Sequence, residues 1–295
     1  MRTLIAILTF VAIGRAGAHG LDSDRTGPDW TFDSWIVVPL TAFALAYAVG
    51  VVRLGLRTRY SRTRVNRRGL AATAGWLTLA GALVSPLHWL GEHLFTFHMI
   101  EHEIVMAISA PLIVVARPLG VLLWGLPTIL RRRLGRLATL PPLRAAWRWA
   151  TEGVNATVLH GIAIWAWHVP VLFDAAVENV MLHRLQHLSF FLTAVLFWWA
   201  VFWRCSRGVA AWHIFVTMTH TGVLGALMAL APRVIYSAQT QAAAKWGLSP
   251  LEDQQLAGIM MWIPAGTVYA GCALAMLTLW IRGADGGDRV GLEQS

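Results

Sequence analysis

Charge is scarce in this chain. Asp, Glu, Lys and Arg make up 13% of its 295 residues, about half the fraction of an ordinary soluble domain. With 57% hydrophobic residues and a mean hydropathy of +0.57, the composition excludes a soluble globule and indicates a membrane protein. Cysteine is nearly absent. Cys205 and Cys272 stand far apart without a C-x-x-C spacing, which argues against a disulfide framework or a thiolate metal site. A metal would have to be held by histidine, methionine and carboxylate. A glycine-rich phosphate loop, G-x-S-x-G and H-E-x-x-H are also missing, so nothing points to a hydrolase, an ATP-driven pump or any other enzyme.

What is present fits a bilayer. Several of the 16 tryptophans lie near the ends of apolar segments, as in aromatic belts at the lipid–water boundary. The isoelectric point near 10.9 would suit nucleic acid, but the arginines are confined to short loops between apolar segments. They encode topology, and no nucleic-acid partner is expected.

Residues 1–18 read as a signal peptide: Arg2, a short apolar run from Leu4 to Ile13, and a small-residue cleavage site at Ala16-Gly17-Ala18. The alternative is a short uncleaved helix. Cleavage would leave His19 at the start of an outer segment, 19–33. Residues 34–282 form the transmembrane domain, and 283–295 a polar cytoplasmic tail, expected to be disordered. Seven apolar segments, at about 34–53, 69–87, 98–116, 153–170, 183–203, 209–232 and 255–281, each approach the ~20 residues that cross a bilayer. Arg117-Pro118 should end the third near Ala116, leaving Leu119 to Arg136 partly interfacial. The expected fold is an all-α polytopic membrane protein, a seven-transmembrane-helix bundle. Seventeen basic residues fall in the loops on one side of these segments and four (Arg25, Arg184, Arg233 and Lys245) on the other. The positive-inside rule then gives N-out/C-in, in the cytoplasmic (inner) membrane of a bacterium.

Eight of the 11 histidines lie on the outer side or in the outermost turns: His19, His88, His93, His98, His102, His168, His183 and His187. Two H-x-x-x-H pairs, His98/His102 and His183/His187, occupy the first turns of spans three and five. Residues i and i+4 share a helix face about 6 Å apart, so each pair aims two imidazoles one way. Imidazole is the commonest metal ligand, and ionisable groups inside a membrane are expensive. With His168 at the outer end of span four, the pairs form the expected metal cluster. Glu101, Glu103 and Asp174 are candidates to orient the rings, and Met99 offers a thioether suited to Cu(I). Asp253 is placed to cap the start of span seven. His160 and His220 lie near mid-membrane and His213 near the inner face; His160, His220 and Cys272 are the only candidates for a polar path through the membrane.

The stretches His98-Met99-Ile100-Glu101-His102, Trp165-Ala166-Trp167-His168-Val169-Pro170, Leu182-His183-Arg184-Leu185-Gln186-His187 and Asp253-Gln254-Gln255-Leu256-Ala257-Gly258 occur in this order. On them the chain resembles the CtaG family of cytochrome c oxidase assembly factors, the multi-span type associated with caa-type oxidases. It does not resemble the single-span copper chaperone of the same name, which uses cysteines this chain lacks. The resemblance implies a protein that matures haem–copper oxidase at the copper stage, with copper as cargo and an oxidase subunit and the lipid bilayer as partners. Glu101 stands where glutamine is expected in many relatives, so no fixed role carries over to it. The other readings are a b-type cytochrome with haem on the paired histidines, and a copper transporter.

The topology is open to test. Reporter fusions after Ser61 and Ala138 should report the cytoplasm, and fusions near Asp174 and Ala243 the outside. A cytoplasmic signal at Asp174 would overturn the span assignment.

Overall fold

The computed structural model describes residues 29–56 and 62–292, with side chains at 29–56 and 67–282. The expected signal peptide, His19 and Arg25 lie outside the described residues, and the side chains of the expected tail do too. Among the described residues there are helices and turns but no strand.

The first helix, α1 (Ser34–Gly55), starts where the Asp33 side chain accepts the Trp35 N–H at 3.0 Å. Helix α2 (Arg62–Val84) stops at Ser85, whose hydroxyl caps the next helix, α3 (Pro86–His93). Proline at the first position of α3 needs no N–H partner there, and the chain bends by 45° between them. The third apolar segment runs through α4 (Phe95–Glu103), a π-helical stretch (Ile104–Ser109) and α5 (Ala110–Ala116). It ends at Ala116, as Arg117-Pro118 demands: Arg117 adopts φ 49°, and its guanidinium lies 3.3 Å from the centre of the Trp203 ring. Three short helices follow: α6 (Leu119–Gly125), α7 (Thr128–Thr139) and α8 (Pro141–Ala150).

Helix α9 (Gly153–Trp167) bends by 73° into α10 (Pro170–Glu178). The last long helices are α11 (Val180–Trp203), α12 (Arg207–Ala229) and α13 (Pro250–Leu292). Four stretches are long and apolar enough to cross a membrane: Ser34–Gly55, Phe95–Ala116, Val180–Trp203 and Pro250–Arg282. The two bent pairs raise the number to six among the described residues, against the seven that the hydropathy pattern predicts. Helix α12 occupies the place of the expected sixth span but is more polar, carrying His213, Thr217, Thr219, His220 and Thr221.

Packing follows membrane rules, with small residues where backbones meet. A Cβ on Gly225 of α12 would come within 2.8 Å of the Gly258 carbonyl on α13, and one on Gly258 within 2.6 Å of the Gly225 carbonyl. Trp198 of α11 is fully buried, stacks on Tyr269 of α13 at 5.7 Å, and donates its indole N–H to the Met106 carbonyl at 2.9 Å. The acceptor lies inside the π stretch, where the helical hydrogen-bond pattern is disturbed.

Asp253 does not cap its own helix. Ser249 and Glu252 do that reciprocally: the Ser249 N–H donates to Glu252 Oε2 at 2.7 Å, and the Glu252 N–H to Ser249 Oγ at 3.2 Å. Asp253, fully buried, caps α4 instead. Its Oδ2 accepts the Phe95 N–H at 2.8 Å, and its Oδ1 accepts the Thr96 N–H at 3.0 Å and the Thr96 hydroxyl at 2.7 Å. Gln254 beside it accepts the Ile235 N–H at 2.6 Å and the Tyr236 N–H at 3.2 Å. The 230–249 connection is thereby folded over the same end, where the Tyr236 hydroxyl donates to the His168 carbonyl at 2.8 Å and Gln239 to the Gly91 carbonyl at 2.7 Å.

Replacing Asp253 by alanine strands buried N–H donors at the start of α4. The expected loss is about 1–3 kcal/mol, with a smaller loss for Asp253→Asn, which keeps one acceptor. Thermal unfolding in detergent checks this, and an unchanged midpoint for Asp253→Ala would refute the cap.

Candidate metal centre

Helices α4 and α11 enter from one end of the bundle and set their histidine pairs against each other. Ring centroids are 4.3 Å apart within His98/His102 and 4.5 Å within His183/His187. Across the helices, His98 and His183 stack at 5.4 Å, and His102 meets His187 edge-on at 4.8 Å. The four rings form one packed group.

A fifth ring joins them that spacing alone did not single out. His88, on α3, lies 5.9 Å from His183 and 6.2 Å from His187. It donates Nδ1–H to Glu101 Oε1 at 2.8 Å, and His187 Nδ1 stands 3.6 Å from the same oxygen. The bend at Ser85 swings His88 into place. Its one local signal is the HxxxE spacing to Glu92, whose Oε1 lies 3.7 Å from His88 Nε2. Glu101 thus sits at the centre of the group, 1% exposed. Gly91 makes room for it: a Cβ there would come within 3.0 Å of Glu101 Oε2 and 3.3 Å of the His98 Cα.

The other expected members make no ring contact with this group. His168 donates Nδ1–H to the Ile164 carbonyl at 2.7 Å and lies against Phe173 and Phe190, at 6.0 and 6.2 Å. These two phenylalanines also contact His98 and His102, on which His168 acts electrostatically, and His168 Nε2 is buried without a hydrogen-bond partner. Glu103 points away, because residues two apart on a helix face nearly opposite sides; its electrostatic neighbour is Tyr269. Asp174 is turned to the Ala238 backbone and Tyr236. Met99 lies in the apolar core with Phe95 and Met106. Asp253 acts one step removed, by fixing the start of α4.

The donor set fits a soft cation, but the rings are closed on one another. Among the described residues no group of three or more His, Cys, Asp or Glu side chains is arranged to hold a metal. The Nε2 atoms of His183 and His187 are hydrogen-bonded at 2.8 Å, whereas two nitrogens on one tetrahedral metal at ~2.0 Å stand about 3.3 Å apart. Loading would therefore open that contact. The compensation is visible at His98 Nε2 and both nitrogens of His102, which are buried without a hydrogen-bond partner. Each such atom costs about 1–3 kcal/mol, which a ligand would relieve.

A cleft of about 1610 Å³ between α1, α2 and α11 reaches the group from the side. Its walls are mostly apolar, and its polar end is formed by Asp33, His88, Glu92, His183, Arg184 and His187. Asp33 and Arg184 join α1 to α11 across it, with 2.8 and 2.9 Å contacts from the guanidinium to Asp33 Oδ2.

Gly91→Ala should destabilise the protein by about 1–3 kcal/mol, because Glu101 and the α4 backbone would have to give way. Gly81→Ala, whose Cβ would meet nothing within 4 Å, should be neutral or stabilising by about 0.5–1 kcal/mol. Melting of the two variants in detergent makes the comparison, and equal shifts would remove the steric role of Gly91.

The chain is 25% identical over 274 residues to the uncharacterized protein Mb0105 of Mycobacterium bovis, and equally to the uncharacterized protein MT0111 of Mycobacterium tuberculosis. The match takes in 86% of this chain and 39% of each relative, so the chain spans about two fifths of their length. No solved structure matches it significantly. The family model for the cytochrome c oxidase caa3 assembly factor matches residues 45–283, which include the five clustered histidines, Glu101 and Asp253. The chain belongs to the cytochrome c oxidase caa3 assembly factor family.

Proposed function

We propose that this protein holds Cu(I) at its histidine end and supports maturation of the copper centre of a haem–copper oxidase. One observation carries the reading. Five imidazoles from three helices pack into one group with Glu101, and His98 Nε2 and both ring nitrogens of His102 are buried without hydrogen-bond partners. Imidazole suits copper, and the carboxylate offsets the charge of the cation. His183, His187 and His88 border the lateral cleft, which supports handover to a client within the plane of the membrane. The action is binding and delivery, without turnover.

We infer further that all seven apolar segments span the membrane, with α12 as the sixth. The arginine-rich end is then cytoplasmic and the histidine end faces outward in a bacterial inner membrane. A haem reading fits the packing less well. A macrocycle would lie between rings on facing helices, and here those rings are already in contact, at 5.4 and 4.8 Å. The contact favours a small cation.

A strain lacking the protein should make oxidase polypeptides but little active enzyme, with normal haem and depleted copper. Normal copper with absent haem would move the protein to haem insertion, and an unaffected oxidase would sink the assembly role. In the purified protein, replacing His98, His102, His183 and His187 together by alanine should lower histidine-bound copper at least tenfold. Unchanged copper content would make these side chains structural.

A further inference from the structure

The opposite end of the bundle holds a second set of metal-binding groups. Helix α11 ends at Trp203, about 30 Å along the helix from His183 at 1.5 Å per residue, and Cys205 follows in the turn to α12. A Cβ built on Gly153, the first residue of α9, would lie 2.9 Å from Cys205 Sγ and 2.6 Å from His213 Nε2. Thiol and imidazole thus both crowd the Gly153 Cα and stand no more than about 5.5 Å apart. With metal–sulfur and metal–nitrogen bonds of about 2.3 and 2.0 Å, as at zinc centres, a bridging ion needs them about 3.5–4.3 Å apart. That range lies within the 5.5 Å bound set by their shared approach to Gly153.

The tautomer of His213 is set for ligation. The Thr157 hydroxyl contacts both the Gly153 carbonyl, at 2.9 Å, and His213 Nδ1, at 3.0 Å. A hydroxyl has one proton, and the carbonyl can only accept it. Both contacts are satisfied when His213 Nδ1–H donates to Thr157, which leaves the lone pair on Nε2. His213 is 8% exposed, its Nε2 makes no hydrogen bond among the described residues, and that nitrogen is the atom packed against Gly153. A second-partner bond that fixes the ring and frees the other nitrogen is the arrangement of ligating histidines. Cys205 is a free thiol. The Glu152 carboxylate acts electrostatically on both groups, and the Arg204 guanidinium on Cys205.

We propose that Cys205 and His213 form a second site for a soft monovalent cation of the Cu(I) class, at the arginine end of the bundle. On binding, the Cys205 S–H bond breaks and its proton leaves to solvent, while one S–metal and one Nε2–metal bond form. No oxidant or reductant is consumed. The thiolate and Cu(I) cancel in charge, so the loaded pair is neutral at the edge of an apolar bundle. Soft thiolate sulfur selects Cu(I) over the hard cations of the cell. The site shares no residue with the histidine cluster and stands whether or not that cluster binds copper.

The test uses the purified full-length protein, reduced and titrated anaerobically with Cu(I) against a competing chelator. Copper X-ray absorption reads sulfur ligation. The wild type should bind one equivalent with a sulfur ligand. Cys205→Ser and His213→Ala should each weaken that equivalent at least tenfold, and Cys205→Ser should remove its sulfur signal. Gly153→Ala, whose Cβ would push both groups aside, should do likewise. Cys272→Ser and the quadruple histidine variant should keep the sulfur-bound equivalent, which also shows that fold and loading are intact. A wild type without sulfur ligation, or a sulfur signal that survives Cys205→Ser, overturns the site. Loss of the signal in the quadruple variant with unchanged melting overturns the separation of the two sites.

Discussion

The buried carboxylate of Asp253 holds the start of α4, and the geometry of the histidine end depends on that grip. A helix leaves its first N–H groups without internal partners, and in a bilayer no water is at hand to satisfy them. Asp253 takes two of them and the Thr96 hydroxyl as well. Because the carboxylate comes from α13, it fixes the height and rotation of α4 against the rest of the bundle. His98 and His102 inherit that rotation. Gln254, the next residue, pins the 230–249 connection, and that connection in turn holds Gly91 and His168 through Gln239 and Tyr236. Two adjacent side chains thus anchor four separate pieces of chain at one end.

Long apolar helices are legible in the sequence because each satisfies its own backbone and must match the bilayer. The stop at Ala116 is legible for an equally local reason, the steric demand of Pro118. The pairing of His98/His102 with His183/His187 follows from helical spacing and a shared position in the first turn. What spacing cannot supply is the direction of a chain after a break. The bends after Val84 and Trp167 bring His88 into the ring group and set His168 at its edge, against Phe173 and Phe190. Asp253 reads locally as a cap for its own helix, yet Ser249 and Glu252 fill that role, and the carboxylate serves a helix 158 residues away.

Cysteine count speaks to one kind of site only. Two distant thiols argue against a thiolate cluster, but one thiol near one imidazole needs no C-x-x-C. The cue lies in a glycine: Gly153 opens a helix where a Cβ would collide with both Cys205 and His213. Gly91 performs the same service for Glu101 at the other end. In both places the informative residue is the one with no side chain.

The π-helical stretch carries one surplus residue between two ordinary helical segments. At 3.6 residues per turn, one residue is worth about 100° of rotation. The histidine-bearing turn of α4 and the apolar face of α5 would otherwise point in different directions. With the extra residue, His98 and His102 meet α11 while Val114 remains in the core, and the freed Met106 carbonyl is taken by Trp198. The number of residues from His102 to Ala110 therefore works as a phase setting. Shortening it by one would leave a better-formed helix whose imidazoles, turned by about 100°, no longer faced their partners.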